Sequence, residues 1–76
     1  MNMIRILTKE GCSKCNELKN YLSERNVEYE TVNLSNKDNR DARKHYREAG
    51  YELLPVIEGD GWTIDGFNKN LLEELI

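Results

Sequence analysis

Met3-Ile4-Arg5-Ile6-Leu7-Thr8 carries apolar or β-branched residues on both faces of an extended chain. A strand of that kind belongs in the middle of a sheet, with a layer packed on each side. Lys9-Glu10-Gly11 breaks it. From Ser13 the spacing turns helical: Cys15, Leu18 and Leu22 recur at i, i+3 and i+7, with Tyr21 beside them. This helix should end near Arg25-Asn26. From Val27 to Leu34, Tyr29, Thr31 and Asn33 share one face and Val32 and Leu34 the other, which reads as a second strand.

Ser35-Asn36-Lys37-Asp38 then has the form of a helix start, an oxygen-bearing side chain followed three residues later by an acid. The helix it opens is polar, with Ala42, Tyr46 and Ala49 as a thin apolar stripe and Gly50 as its stop. Leu53 to Glu58 reads as a third strand with Pro55 inside it, and Gly59-Asp60-Gly61 as a hairpin turn. Trp62-Thr63-Ile64 is the fourth strand. Leu71, Leu72 and Leu75 place a short third helix at the end. The order is β-α-β-α-β-β-α. A β-α-β start needs a parallel pair joined by a right-handed crossover, and the hairpin adds an antiparallel pair. The expectation is an α/β fold: a four-stranded mixed sheet covered by helices on both faces, one domain over residues 1–76.

Composition makes that economy necessary. The chain has 76 residues, of which 38% are hydrophobic and 33% charged, so its core must be thin. There is no room for a second core or a large cofactor cavity. The net charge of −3 gives no basic footprint for nucleic acid. Leu53-Leu54-Pro55-Val56-Ile57 is the longest apolar stretch, far short of a membrane span. Met1-Asn2-Met3-Ile4-Arg5 lacks the form of a secretory signal, so a cytoplasmic protein is expected.

Two cysteines remain, Cys12 and Cys15. A crosslink across so short a loop removes little unfolded-chain entropy, so it does not hold the fold together. In a reducing compartment such a pair is reactive or metal-binding rather than structural. Its position matters more than the bare spacing. Gly11-Cys12-Ser13-Lys14-Cys15 lies where a strand ends and a helix begins. The unpaired N–H groups and positive dipole end of that helix favour an anion, so the Cys12 thiol should ionise more readily than a free one. Lys14 and Lys9 add positive charge and Glu10 opposes it. Cys15, one turn inward, should be buried and placed to resolve a mixed disulfide formed at Cys12. A structural metal site needs about four N/S ligands, and beyond the pair only His45 is available, on the polar helix. No metal ligand is assigned.

Pro55 is the second chemical feature. Inside a strand it gives up a ladder hydrogen bond. Two readings stand: an ordinary edge-strand proline, or a cis peptide after Leu54 lying against the cysteines, leaving the Leu54 backbone free to pair with an extended substrate. The second helix is locally basic (Lys37, Arg40, Arg43, Lys44, Arg47), offset by Asp38, Asp41 and Glu48. A solvated face is the expectation there, and partner docking the alternative.

These residues together resemble a known family. Ile4–Thr8, the Cys12-Ser13-Lys14-Cys15 helix start, Leu53-Leu54-Pro55-Val56-Ile57 and Asp65-Gly66-Phe67 resemble the glutaredoxin branch of the thioredoxin-fold proteins, over essentially the whole chain. Within that branch the chain is most similar to the NrdH redoxins, in Gly50-Tyr51, Leu54-Pro55-Val56 and Gly66-Phe67. The resemblance implies a thioredoxin fold and a small dithiol–disulfide oxidoreductase with no bound cofactor beyond a redox-active Cys12–Cys15 disulfide. It implies ribonucleotide reductase as electron acceptor and a flavin thioredoxin reductase as electron donor, and a monomer is expected. The chain departs from glutaredoxins that use glutathione. Ser13 and Lys14 replace Pro-Tyr between the cysteines, and Asn68 or Lys69 occupies the place of the acid that grips the glutathione amine. Lys9 does match a glutathione contact. Catalysis is expected at Cys12 and Cys15, and substrate or partner contact at Lys9, Gly11, Ser13, Lys14, Leu54, Pro55, Asp65, Gly66 and Phe67. The alternatives are a glutathione-dependent glutaredoxin and a thioredoxin-fold metal-binding adaptor.

Overall fold

A computed structural model describes residues 4–76. The elements are β1 (Ile4–Thr8), α1 (Ser13–Glu24), β2 (Tyr29–Asn33), α2 (Arg40–Glu48), β3 (Val56–Glu58), β4 (Thr63–Asp65) and α3 (Lys69–Leu75), with a 3-10 turn at Lys37–Asn39 leading into α2. The four strands lie in the order β2-β1-β3-β4. β1 runs parallel to β2, from Ile4 opposite Tyr29 to Thr8 opposite Asn33. It runs antiparallel to β3, with Leu7 opposite Val56, and β3 pairs antiparallel with β4 through Ile57 and Ile64. The element order and mixed sheet are those expected from the apolar pattern.

Alternation along β1 divides the core. Ile4 and Ile6 point to one face, with Ile57 and Ile64, against Leu18, Tyr21 and Leu22 of α1 and Leu72 of α3. Leu7 points to the other, with Val56, Leu34 and Ala42 of α2. Leu18, Leu22 and Leu72 are fully buried, each worth roughly 1.5–3 kcal/mol of transfer free energy. Arg25 joins the helices of the first face: its guanidinium lies 4.5 Å from the Tyr21 ring centroid and 3.2 Å from the Glu73 carboxylate.

Several boundaries shift. The third strand is Val56–Glu58, not Leu53–Glu58, because Leu53-Leu54-Pro55 form the bend that delivers the chain to the ladder. Pro55 is therefore not an edge-strand proline: β3 is interior, and the Leu54–Pro55 bond is cis. The fourth strand is Thr63–Asp65; Trp62 precedes it, half-buried against the larger core. The second strand is confined to Tyr29–Asn33. Asn36, not Ser35, caps the turn into α2, accepting from the Asp38 N–H at 2.9 Å. Ala49 is exposed, so the apolar stripe of α2 reduces to Ala42 and Tyr46. Met3 lies outside the described residues.

Candidate active site

β1 ends at Thr8 where antiparallel β3 begins, so the loop after β1 and the bend before β3 emerge at the same end of the sheet. Lys9 and Glu10 turn the chain, the Glu10 N–H reaching the Ser35 hydroxyl at 3.4 Å, and Gly11 follows in the exposed turn. Cys12 is the N-cap of α1. It is half-buried, its backbone is extended, and its sulfur accepts from the Cys15 N–H at 3.1 Å. Cys15, one turn in, is 1% exposed. The two are joined as a disulfide with Cα atoms 5.3 Å apart. The first turn of α1 holds no acidic residue to offset the dipole. Ser13 and Lys14 are exposed between the cysteines, and Lys14 pairs with Glu17 at 3.7 Å across one turn.

Comparison with known proteins agrees with this geometry. The glutaredoxin family model matches residues 4–63. The chain belongs to the glutaredoxin family. It is 26% identical over 73 residues to the glutaredoxin-like protein NrdH of Lactococcus lactis, covering 96% of this chain and 99% of that protein. It is 34% identical over 74 residues to the N-acetyl-S-hydroxy-L-cysteine reductase of Bacillus subtilis, covering 95% of this chain and 77% of that enzyme. The fold matches that of the NrdH-redoxin of Escherichia coli with a TM-score of 0.87 at 24% identity, over 97% of this chain and 95% of that one. This glutaredoxin-family chain is a thiol–disulfide oxidoreductase of thioredoxin-like fold.

The bend before β3 is held by side chains from both flanks. The two carboxylate oxygens of Asp65 accept from the Glu52 N–H at 3.1 Å and the Leu53 N–H at 3.0 Å. The Tyr46 hydroxyl donates to the Leu53 carbonyl at 3.1 Å. Among the described residues, no protein hydrogen bond engages the N–H or C=O of Leu54. Pro55 is buried, and its carbonyl accepts from the Gly66 N–H at 3.0 Å. Gly66 has φ +98°, a conformation that favours glycine, and a Cβ there would meet Leu53 Cδ1 at 2.9 Å.

Phe67 is half-buried, edge-on to Tyr21 at 5.9 Å. Together with Lys14, Glu17 and Lys69 these two rings line an open groove of about 530 Å³ beside the cysteine helix. Asn68, expected with Lys69 at the place of the glutathione-gripping acid, caps α3 through its side-chain oxygen, accepting from Leu71 N–H at 3.2 Å. Lys9 is an exposed residue of the turn. Among the described residues, no three His, Cys, Asp or Glu side chains are grouped to hold a metal ion, and no helix is long and apolar enough to cross a membrane.

The expected residues thus take different places. Cys12, Ser13, Lys14 and Cys15 share the start of α1, while at the bend before β3 Asp65 holds Glu52 and Leu53, Gly66 holds Pro55, and Leu54 between them is, among the described residues, unbonded. Asp65 is turned to the protein's own backbone. Tyr46 escaped the sequence reading as part of this unit, because its place on the α2 stripe marked it only as core.

Proposed function

We propose that this protein carries electrons from a flavin thioredoxin reductase to disulfides of protein partners, ribonucleotide reductase among them, in the cytoplasm. The observation carrying the reading is the asymmetry of the pair: Cys12 is half-buried at the helix N-terminus and Cys15 is 1% exposed behind it. The Cys15 N–H faces the Cys12 sulfur at 3.1 Å in the disulfide, and the same donor kept in the dithiol form would favour the Cys12 thiolate. That thiolate attacks one sulfur of the partner disulfide. The second partner sulfur leaves as a thiolate and takes a proton. Cys15 then attacks the Cys12 sulfur, closing the intramolecular disulfide and releasing the partner dithiol. Two electrons pass to the partner. The unengaged Leu54 backbone is available to pair with an extended partner segment beside Cys12, while Asp65 and Tyr46 hold the residue before it.

Two observations favour a flavin reductase over glutathione. Asn68 is committed to capping α3, and Lys69 lines the groove, so neither supplies a carboxylate for the glutathione amine. NADPH oxidation coupled through thioredoxin reductase should greatly exceed that through glutathione and glutathione reductase; the reverse order overturns this assignment. Cys12→Ser should abolish insulin disulfide reduction, and retained wild-type rate would overturn the mechanism. A second reading takes a small sulfenic acid as substrate, as the name of the Bacillus subtilis relative suggests, in the groove that Lys14 and Lys69 line together with Glu17 and Glu24. Cys12 would attack its sulfur and displace hydroxide, and Cys15 would release the free thiol. Faster turnover of N-acetylcysteine sulfenic acid than of insulin would favour that reading.

A further inference from the structure

The exposed side of α2 carries a charge pattern that nothing inside the molecule uses. Arg40, Arg43, Lys44 and Arg47 line one shallow groove of about 500 Å³, with Glu48 at its edge. Their spacing makes like-charge neighbours at i, i+3 (Arg40–Arg43, Lys44–Arg47) and at i, i+4 (Arg40–Lys44, Arg43–Arg47). Such pairs destabilise a helix. The compensation is slight: among the described residues Lys44 pairs with Glu48 at 3.9 Å, and Arg40, Arg43 and Arg47 make no ion pair. The helix also has only Ala42 and Tyr46 with which to hold the sheet. The stripe therefore opposes the folding of the element that bears it. The remainder of the chain is acidic, with seven basic residues against twelve acidic ones outside α2.

We propose that this face binds a short acidic segment of a partner protein. Guanidinium forks match carboxylates in geometry as well as charge. From Arg40 to Arg47 the helix rises about 10 Å, the reach of three or four residues of extended chain. The net acidity of the rest of the chain disfavours an extended polyanion such as a nucleic acid, whereas a run of three or four acidic side chains fits within the stripe. The stripe also begins five residues after Ser35, whose hydroxyl receives the Glu10 N–H at the turn before Cys12. A partner held there is held close to the cysteine end of the sheet.

The test uses a fluorescein-labelled peptide with four consecutive glutamates in a Gly/Ser background, titrated with the full chain and read by anisotropy. At about 20 mM ionic strength it should bind, and raising this to about 200 mM should weaken binding several-fold. Arg43→Gln/Arg47→Gln should weaken it at least about tenfold, and Arg40→Gln/Arg47→Gln similarly. Lys19→Gln/Lys69→Gln, with the same change in net charge on the helices of the opposite sheet face, should leave it within about twofold. Circular dichroism should show both stripe variants folded, since each removes like-charge neighbours. Equal loss in the control, or no binding by the wild type, overturns the proposal. So does tighter binding to anionic phospholipid vesicles than to the peptide. Reduction of the neutral 2-hydroxyethyl disulfide should be unchanged in the stripe variants, so this surface and the cysteine chemistry stand or fall separately.

Discussion

Asp65→Ala removes the two acceptors that hold the bend before β3. The native carboxylate takes N–H groups from consecutive residues, Glu52 at 3.1 Å and Leu53 at 3.0 Å. A hydrogen bond to a charged acceptor contributes about 1.5–3 kcal/mol net where it is shielded from water. Glu52, Leu53 and Asp65 are exposed, so water replaces the lost acceptor and the two bonds together are worth about 1–2 kcal/mol. For a domain of this size that is a fall in Tm of roughly 5–12 °C, measurable by thermal circular dichroism. The loss falls on Leu53, next to the unengaged Leu54 backbone. KM for a protein disulfide should therefore rise several-fold while turnover of a small disulfide, which needs only Cys12, stays near the wild-type value. Asp65→Asn keeps one acceptor and should fall between. Unchanged Tm together with unchanged KM for the protein substrate would refute the view that this carboxylate shapes the bend.

Three further outcomes follow from the geometry. Cys15→Ser should retain attack at Cys12 but fail to resolve it, so a covalent adduct with a protein disulfide accumulates and is visible by intact mass; free release of reduced substrate would contradict the assigned roles. The Tyr21 hydroxyl is buried and, among the described residues, has no hydrogen-bond partner. Tyr21→Phe should therefore leave stability unchanged or raise it by about 1 kcal/mol in urea unfolding, and a loss of that size would reveal a missing partner. Tyr46 and Tyr51 both ionise above the ordinary value of 10.0, burial being the first cause at each, with Asp65 and Glu52 adding at Tyr46 and Glu58 at Tyr51. A raised folded-state value means that stability is fully present below about pH 10 and is lost as pH rises through the raised values. Urea midpoints should be flat from about pH 8 to 9 and fall toward pH 11, less steeply in Tyr51→Phe; equal slopes would exclude that tyrosine.

The sequence exposed some elements more fully than others, for physical reasons. β1 and α1 were legible because their burial is strong and periodic: Ile6, Leu7, Leu18 and Leu22 are fully buried at the spacings that named the strand and helix. The cysteine pair was legible because a change of period at Ser13 marks a strand-to-helix junction. The bend at Leu53-Leu54-Pro55 was not, because an apolar run of that length reads as strand whether or not it joins a ladder. Ala49 misled in the same way: its spacing fits the stripe, but it stands past Glu48 as the C-cap of α2 and is exposed. The grip of Asp65 on Glu52 and Leu53 is a contact across twelve or thirteen residues that no local pattern records. Side chains acting on distant backbone have no period.

The pairing of β1 with β3 has a consequence for what the molecule can be used to measure. Cys12 and Leu54 stand forty-two positions apart in the chain, and one short antiparallel ladder brings their loops to the same end. Neither loop contains the site alone. A chain that has folded α1 and lost register at Leu7–Val56 keeps both thiols and a helix to bear them, yet presents no neighbouring backbone for an extended partner. Thiol titration would count such molecules as intact, whereas turnover of a protein disulfide would not. The ratio of the two readings is a gauge of how many copies in a sample have closed the central ladder.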